Sequence, residues 1–302
     1  MGKRFMIQKF SFTAYYLGAY LVRCLPSEIS CNIANTLAKL ISQNKKFPFI
    51  KSIQANQSII RHTNNVGELN QALLDVLSHA GKCFIDLHRS LHDPREISSL
   101  VENPSDVTVF LEKTQNSENG TLLVAPHLSN FDLGMLYLAC RGLRIQILTA
   151  VNPTGVYRTQ NEKRRSYGLD ATPINSHSLA RAIQSLRQGG IVGTGIDRPY
   201  INTISSDSPL FFGHQSNLSS GYIRLAAKSG AKIVVVATQM LANGKYKIRF
   251  SNSIKIEQCQ NKTEEIHINA QKVLSIVEQY IRETPEQWLM FYPVWPNLFC
   301  GD

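Results

Sequence analysis

The chain has 302 residues, 43% of them hydrophobic and 18% charged, and a net charge of +10. That balance excludes a disordered chain and supplies enough apolar side chains for one large core or two modest ones. Its six cysteines (24, 31, 83, 140, 259 and 300) are scattered, with no Cys-x-x-Cys pair and no histidine at ligand spacing; they read as reduced thiols of a cytosolic protein, and no metal site is expected.

Charge is unevenly spread. Residues 1–62 hold nine Lys or Arg against a single acid, Glu28, the kind of arm that an anionic membrane surface or a nucleic acid attracts. Within it, residues 5–25 are rich in Phe, Tyr and Leu. The stretch between Lys9 and Arg23 is too short and too polar to span a bilayer. It reads as a helix lying among lipid headgroups, or as an ordinary amphipathic helix packed on the domain. No cleavage site of small residues follows, so a secretory signal is not expected. Pro26-Ser27-Glu28 opens a second helix over residues 29–41. We divide the chain into a basic helical N-terminal segment at the membrane surface, 1–66, and an α/β domain, 67–302.

Apolar spacing predicts a helix over 68–90, with His79 and His88 as surface or capping residues. Residues 107–111 read as a strand and 115–120 as a polar turn. Thr121-Leu122-Leu123-Val124-Ala125 is a short buried strand, and residues 133–139 an apolar helix. A second strand covers 145–151, and a basic helix 158–167 carries Arg164 and Arg165, either as a solvated face or as a clamp for a phosphate or carboxylate. A helix at 178–188 stops at Gly189-Gly190. The strand at 191–197 then delivers Asp197 and Arg198 to its end, without the glycine pattern of a dinucleotide site. After the apolar segment 209–213 come a helix at 219–228, strands at 232–239 and 246–250, and a closing helix at 262–283. The alternation of helices with buried strands implies a central, mostly parallel sheet flanked by helices. The tail from Pro285 to Trp295 is too aromatic to float free.

Between the strand at 121–125 and its helix lie Pro126, His127, Leu128, Ser129, Asn130, Phe131 and Asp132. A strand-end His with an Asp five positions on suits paired chemistry: the carboxylate holds one ring nitrogen while the other takes a proton from a bound hydroxyl. The opening helical turn adds free N–H groups for developing negative charge. His88 and Asp93 repeat the spacing, but at a helix end before Pro94, where a capping role is expected instead.

These residues resemble those of the bacterial late acyltransferases of lipid A biosynthesis, within the lysophospholipid acyltransferase superfamily. His127 to Asp132 looks like the family's His-x-Gly-Asn-Trp-Glu block, and Asp197 like the acid that ends a later strand. Pro209-Leu210-Phe211-Phe212-Gly213, then Gly221, Leu225-Ala226 and Gly230-Ala231, follow the family's order. Pro285-Glu286-Gln287-Trp288 matches its C-terminal Pro-Glu-Gln-Trp. Departures are Ser129 for Gly, Phe131 for Trp and Asp132 for Glu. The family's Trp-x-His-Arg-Arg-Trp is here Met290-Phe291-Tyr292-Pro293-Val294-Trp295. The lost basic patch argues against lipid A itself as acceptor, and the shorter acid is similar to that of phospholipid and phosphatidylinositol mannoside acyltransferases.

The resemblance implies transfer of a fatty acyl group from a thioester, of acyl carrier protein or coenzyme A, to a hydroxyl of a membrane lipid or glycolipid. No cofactor beyond that co-substrate is expected. His127 would be the general base with Asp132 fixing its tautomer, and Asn130, Arg164, Arg165, Asp197 and Arg198 would bind substrate, the arginines its phosphate. Phe211, Phe212 and Trp288 would line an acyl channel or simply fill core. The expected location is the cytoplasmic face of the cell membrane, peripheral or monotopic, with the lipid surface as partner and no nucleic acid. Alternatives are a non-catalytic lipid-binding protein on the same fold, and a hydrolase, for which Ser219-Ser220-Gly221 lacks the leading glycine of a nucleophile elbow.

Overall fold

The computed structural model describes residues 2–115, 119–153, 155–199 and 208–298, with side chains from residue 13 onward except at 115 and 297. The chain opens with four helices: α1 (Gly2–Cys24), α2 (Ser27–Ser42), α3 (Pro48–Arg61) and α4 (Val66–Ser90). Sequence pattern passes over α3, yet Pro48 starts it and His62 ends it in the left-handed conformation. Its Ile50 and Ile53 bury against Leu73 and Val76 of α4. Asn56 and Gln57 of α3 donate to the carbonyls of Met290, Tyr292 and Pro285 in the C-terminal tail. α3 is thus bonded across the 66/67 boundary to the other end of the chain.

Two short helices follow, α5 (Pro94–Ser99) and α6 (Pro104–Gln115). The second corrects the expected strand at 107–111. Pro104 supplies a helical φ at the start, and Val107 and Leu111, four apart, bury on one side. The run Val107-Thr108-Val109 looked β-like because β-branched residues tolerate both states when packing rewards one.

The domain then alternates: β1 (Thr121–Ala125), α7 (Phe131–Cys140), β2 (Gln146–Thr149), α8 (Val156–Ser166), β3 (Asp170–Pro173), α9 (Ser176–Arg187) and β4 (Ile191–Gly195). A small hairpin of β5 (Leu210–Phe211) and β6 (His214–Gln215) precedes α10 (Gly221–Ser229), β7 (Lys232–Met240), β8 (Tyr246–Phe250) and α11 (Lys262–Glu283). The six-stranded sheet has order β3-β2-β4-β1-β7-β8, parallel except for β8, which pairs antiparallel with β7. This is the mostly parallel, helix-flanked sheet that the alternating pattern implies.

Central strands bury both faces, so they read as continuous apolar runs. Leu122 and Val124 of β1, with Ile233 and Val235 of β7, enter the core under α9, α10 and α11. Leu123, Val234 and Val236 enter the opposite core with α7. The outer edge of β8 is covered rather than left open: Tyr246 N–H donates to Leu100 O, and Asn103 exchanges hydrogen bonds with the N–H and carbonyl of Ile248.

Candidate active site

β1 and β4 are hydrogen-bonded neighbours in register, with Ala125 opposite Gly195. Two residues further along each chain, at the carboxyl edge of the sheet, stand His127 and Asp197. His127 Nδ1 donates to Asp197 Oδ1 at 2.6 Å, and the His127 backbone N–H donates to Oδ2 at 2.8 Å. Trp288 Nε1 donates to the same Oδ2 at 2.8 Å. Asp197 is fully buried, while the His127 side chain is 25% exposed. With Nδ1–H committed to the carboxylate, the lone pair lies on Nε2, which has no hydrogen-bond partner among the described residues. A Cβ on Gly195 would stand 3.3 Å from His127 Cε1, so glycine there gives the ring its place over the strand end.

This pairing corrects the expectation that Asp132 holds the imidazole. Asp132 lies in the first turn of α7, where its Oδ1 accepts from Arg164 Nε at 2.8 Å and Nη2 at 2.5 Å. Arg164 in α8 also donates to Asn161 Oδ1 at 2.8 Å. Five residues of separation suggested a local pair; strand register, acting between residues 70 apart, placed another carboxylate on the ring. Burial works against charge on Arg164, but Asp132 and Tyr157 beside it outweigh that and hold its pKa above the ordinary arginine value.

The C-terminal motif closes the site from the other side. Residues 285–287 form one 3-10 turn. The Gln287 side chain accepts from Met240 N–H and donates to Met240 O at the end of β7. The next residues zip onto the His127 turn: Ser129 N–H donates to Gln287 O at 2.7 Å, and Leu289 N–H to His127 O at 2.9 Å. Trp288 is thereby set with its indole N–H on Asp197. Its assignment to an acyl channel is corrected, since the ring is buried and occupied. Phe211 and Phe212 are corrected likewise: Phe211 stacks on Trp295 at 5.6 Å, and both are buried in core with Trp288.

Other expected substrate contacts are redistributed. Asn130 is N-cap of α7; its Oδ1 accepts from Leu133 N–H and its Nδ2 donates to Cys83 O. It is buried structure, not a ligand-binding group. Arg165 donates through Nε and Nη2 to Ala171 O, at 3.0 and 2.7 Å, so its guanidinium ties α8 to β3. Arg198 does face out beside the dyad. It lies over the Tyr292 ring at 4.5 Å, donates to Tyr292 Oη at 2.9 Å, and sits 5.9 Å from the Tyr157 ring, which Arg164 approaches at 5.7 Å. Two cations therefore share one tyrosine near the site, and neither tyrosine was singled out by sequence.

Next to Asp132 lies a small crevice of ≈ 20 Å³ between α1, α4, α7 and α8, with Tyr15, Leu87, Leu91 and Leu136 on its apolar side and Lys163, Arg164 and Asp132 on its polar side. Tyr15 of α1 bonds to Nε2 of His88 at 2.9 Å. Burial, then the Asp132 charge, pushes the Tyr15 hydroxyl up to about 12, and burial brings His88 down to about 4. His88 is thus an inward-facing anchor for α1 and not the surface residue expected, while Asp93 caps α5 by accepting Arg95 N–H, as a turn residue should.

A mostly parallel sheet holds an imidazole and a buried carboxylate paired at its carboxyl edge, where open α/β sheets bind their ligands, an arrangement suited to general base chemistry. The family is given by comparison: the model of the bacterial lipid A biosynthesis acyltransferases matches residues 3–297, and the chain belongs to that family. It is accordingly an acyltransferase of lipid biosynthesis. Among solved structures, the 1-acyl-sn-glycerophosphate (LPA) acyltransferase of Thermotoga maritima is similar at 15% identity and a TM-score of 0.37, over 83% of this chain and 98% of that one. A search of curated proteins gives no match.

Proposed function

We propose that the protein transfers a fatty acyl group from a thioester, of acyl carrier protein or coenzyme A, to a hydroxyl of a membrane lipid or glycolipid, with His127 as general base and Asp197 as its partner. The observation that carries this reading is the convergence of three donors on Asp197, which fixes the His127 tautomer with Nε2 as acceptor. Nε2 takes the acceptor's hydroxyl proton as the oxygen bonds to the thioester carbonyl carbon. The tetrahedral oxyanion is met by N–H groups at the start of α7. The C–S bond then breaks, and the imidazolium returns its proton to the departing thiolate, so no protein nucleophile is needed.

Asp132 and Arg164 form a buried ion pair beside this site, and Arg198, exposed next to the dyad, presents its charge to a phosphate on the acceptor. Among the described residues no helix is long and apolar enough to cross a membrane. On α2, however, Ile29, Ile33, Leu37 and Leu40 form an exposed stripe at helical spacing, and Leu17, Tyr20 and Leu21 of α1 are exposed too. With the surplus of Lys and Arg in residues 1–62, this face suits peripheral contact with the anionic cytoplasmic leaflet.

Mass spectrometry of membrane lipids from cells with the protein, without it, and with His127→Ala tests the proposal. One acylated species should vanish in the deletion and in the variant alike. An unchanged profile, or full complementation by the variant, refutes it, and the latter would leave a non-catalytic lipid-binding protein.

A further inference from the structure

The turn that carries His127 contains a conformation that its own residue disfavours. Ser129 has φ +49°, in the left-handed region where an L side chain crowds its backbone and which is ordinarily left to glycine. Its side chain is fully buried. Oγ lies 3.0 Å from His79 Nε2, in the middle of α4, and its next neighbour is Cys83 Sγ at 4.0 Å. Burial, reinforced by Lys82, pushes the His79 ring down to about 4, so at neutral pH it offers a hydrogen bond without bringing a charge into the core. The Ser129 amide is meanwhile held by Gln287 O. The tail thus pins the backbone of this residue, and α4 pins its side chain.

We infer that His79 and Ser129 form a positioning pair, in which the hydrogen bond from α4 holds residue 129 in its left-handed state and so fixes the turn that directs His127 Nε2 outward. The inference rests on the acyl-transfer reading above and adds residues that act through His127 without touching substrate. Lacking this anchor, an L residue relaxes toward φ below zero and rotates the peptide planes on either side. One of those planes belongs to the bridge between Leu128 and Trp288, and with it goes the Leu289 bond to the His127 carbonyl. Glycine makes no such demand, because positive φ is open to it. The need for His79 is therefore conditional on a side chain at position 129. A histidine kept only for packing would be needed whatever stood there.

The full-length protein, in detergent micelles, tests this with His79→Phe, Ser129→Gly, the double variant and His79→Gln, whose amide can replace Nε2. The first readout is the low-field proton of His127 Nδ1–H by NMR, identified by its loss in His127→Gln. The second is the amount of the dependent acylated lipid in cells, per molecule of protein. His79→Phe should lose the resonance and cut the product by about tenfold or more, the factor equal to ~1.4 kcal/mol. Ser129→Gly, the double variant and His79→Gln should keep the resonance and stay within about threefold of wild type, less than that same step. A normal resonance in His79→Phe overturns the pair, and so does a loss that Ser129→Gly fails to rescue. If His79→Phe does not fold, the double variant decides: folded with the resonance supports the pair, unfolded overturns it. Should no lipid depend on the wild-type chain, the acyl-transfer reading falls, and the NMR result still decides the pair.

Discussion

Asp197→Asn is the sharpest test of the dyad. The carboxylate receives three donors on two oxygens: His127 N–H and Trp288 Nε1–H on Oδ2, and His127 Nδ1–H on Oδ1. An amide has one acceptor oxygen. Placed where Oδ2 was, it keeps two of the three bonds, and its NH2 then faces Nδ1. That contact is satisfied only if Nδ1 becomes the acceptor, which moves the ring proton to Nε2 and removes the base. The same exchange in the Ser-His-Asp triad lowers kcat by about 10⁴. Here we expect a loss of roughly 10³–10⁴ in kcat, or about 4–5.5 kcal/mol of barrier, with KM little changed. The assay is initial-rate acyl transfer on the acceptor that lipid profiling identifies, with Asp132→Asn in parallel. Asp132→Asn keeps an oxygen for Arg164 but removes the counter-charge of a guanidinium that is 9% exposed. It should lower stability by up to about 3 kcal/mol and leave kcat within about tenfold, ~1.4 kcal/mol of barrier. The opposite ranking, with Asp132→Asn nearly dead and Asp197→Asn nearly normal, would refute the assignment.

Trp288→Phe preserves an aromatic ring beside Phe211 and Trp295 but deletes one donor to Asp197; a charge-assisted bond of about 1.5–3 kcal/mol should appear as a fall in kcat, with a melting temperature shifted by only a few degrees. Arg165→Ala should cost about 1–2 kcal/mol of stability in denaturant titrations and leave the acceptor KM unchanged; a raised KM would restore its role as a phosphate clamp. Stability should decline as pH falls from about 6.5 to about 4, because in that window His79 and His88 are protonated in the unfolded chain but not in the folded one. Each contributes on the order of 3 kcal/mol across the window, and denaturant midpoints at pH 7 and 4.5 compared between wild type and His88→Gln should show a shallower pH dependence in the variant.

Local signals in the sequence located most of the elements, and long-range ones were needed for the site. Apolar runs marked β1, β4 and β7 because parallel strands buried on both faces cannot hide among polar residues. The short edge strand β3, Asp170-Ala171-Thr172-Pro173, carried no such run and was passed over. His127 was legible from its place at a strand end. Its partner was not, because spacing along the chain favours Asp132, whereas the true neighbour is decided by which strands pair and in what register. One clue did exist: Asp197 ends a strand that reads like the one before His127. Two residues past Gly195, it lies level with a histidine two past Ala125 whenever those strands are adjacent. Phe211 and Phe212 illustrate the converse error, since aromatic content alone does not tell a channel wall from a filled core.

The dyad is assembled from segments far apart in the chain. His127 comes from the turn after β1, Asp197 from the end of β4, and the third donor from Trp288, which reaches Asp197 only when Gln287 has seated on Met240 of β7. Gln57 and Asn56 of α3 hold the carbonyls of Pro285, which opens the 3-10 turn carrying Gln287, and of Tyr292 beyond it. The Pro-Glu-Gln-Trp motif is thus explained by position rather than by chemistry of its own: the glutamine fixes the tail to the sheet so that the tryptophan can complete the carboxylate's shell. On the proposed mechanism, α3, β7 and this turn of the tail act on His127 through Asp197. Weakening Asn56 or Gln287 should therefore register in kcat before it registers in acceptor affinity.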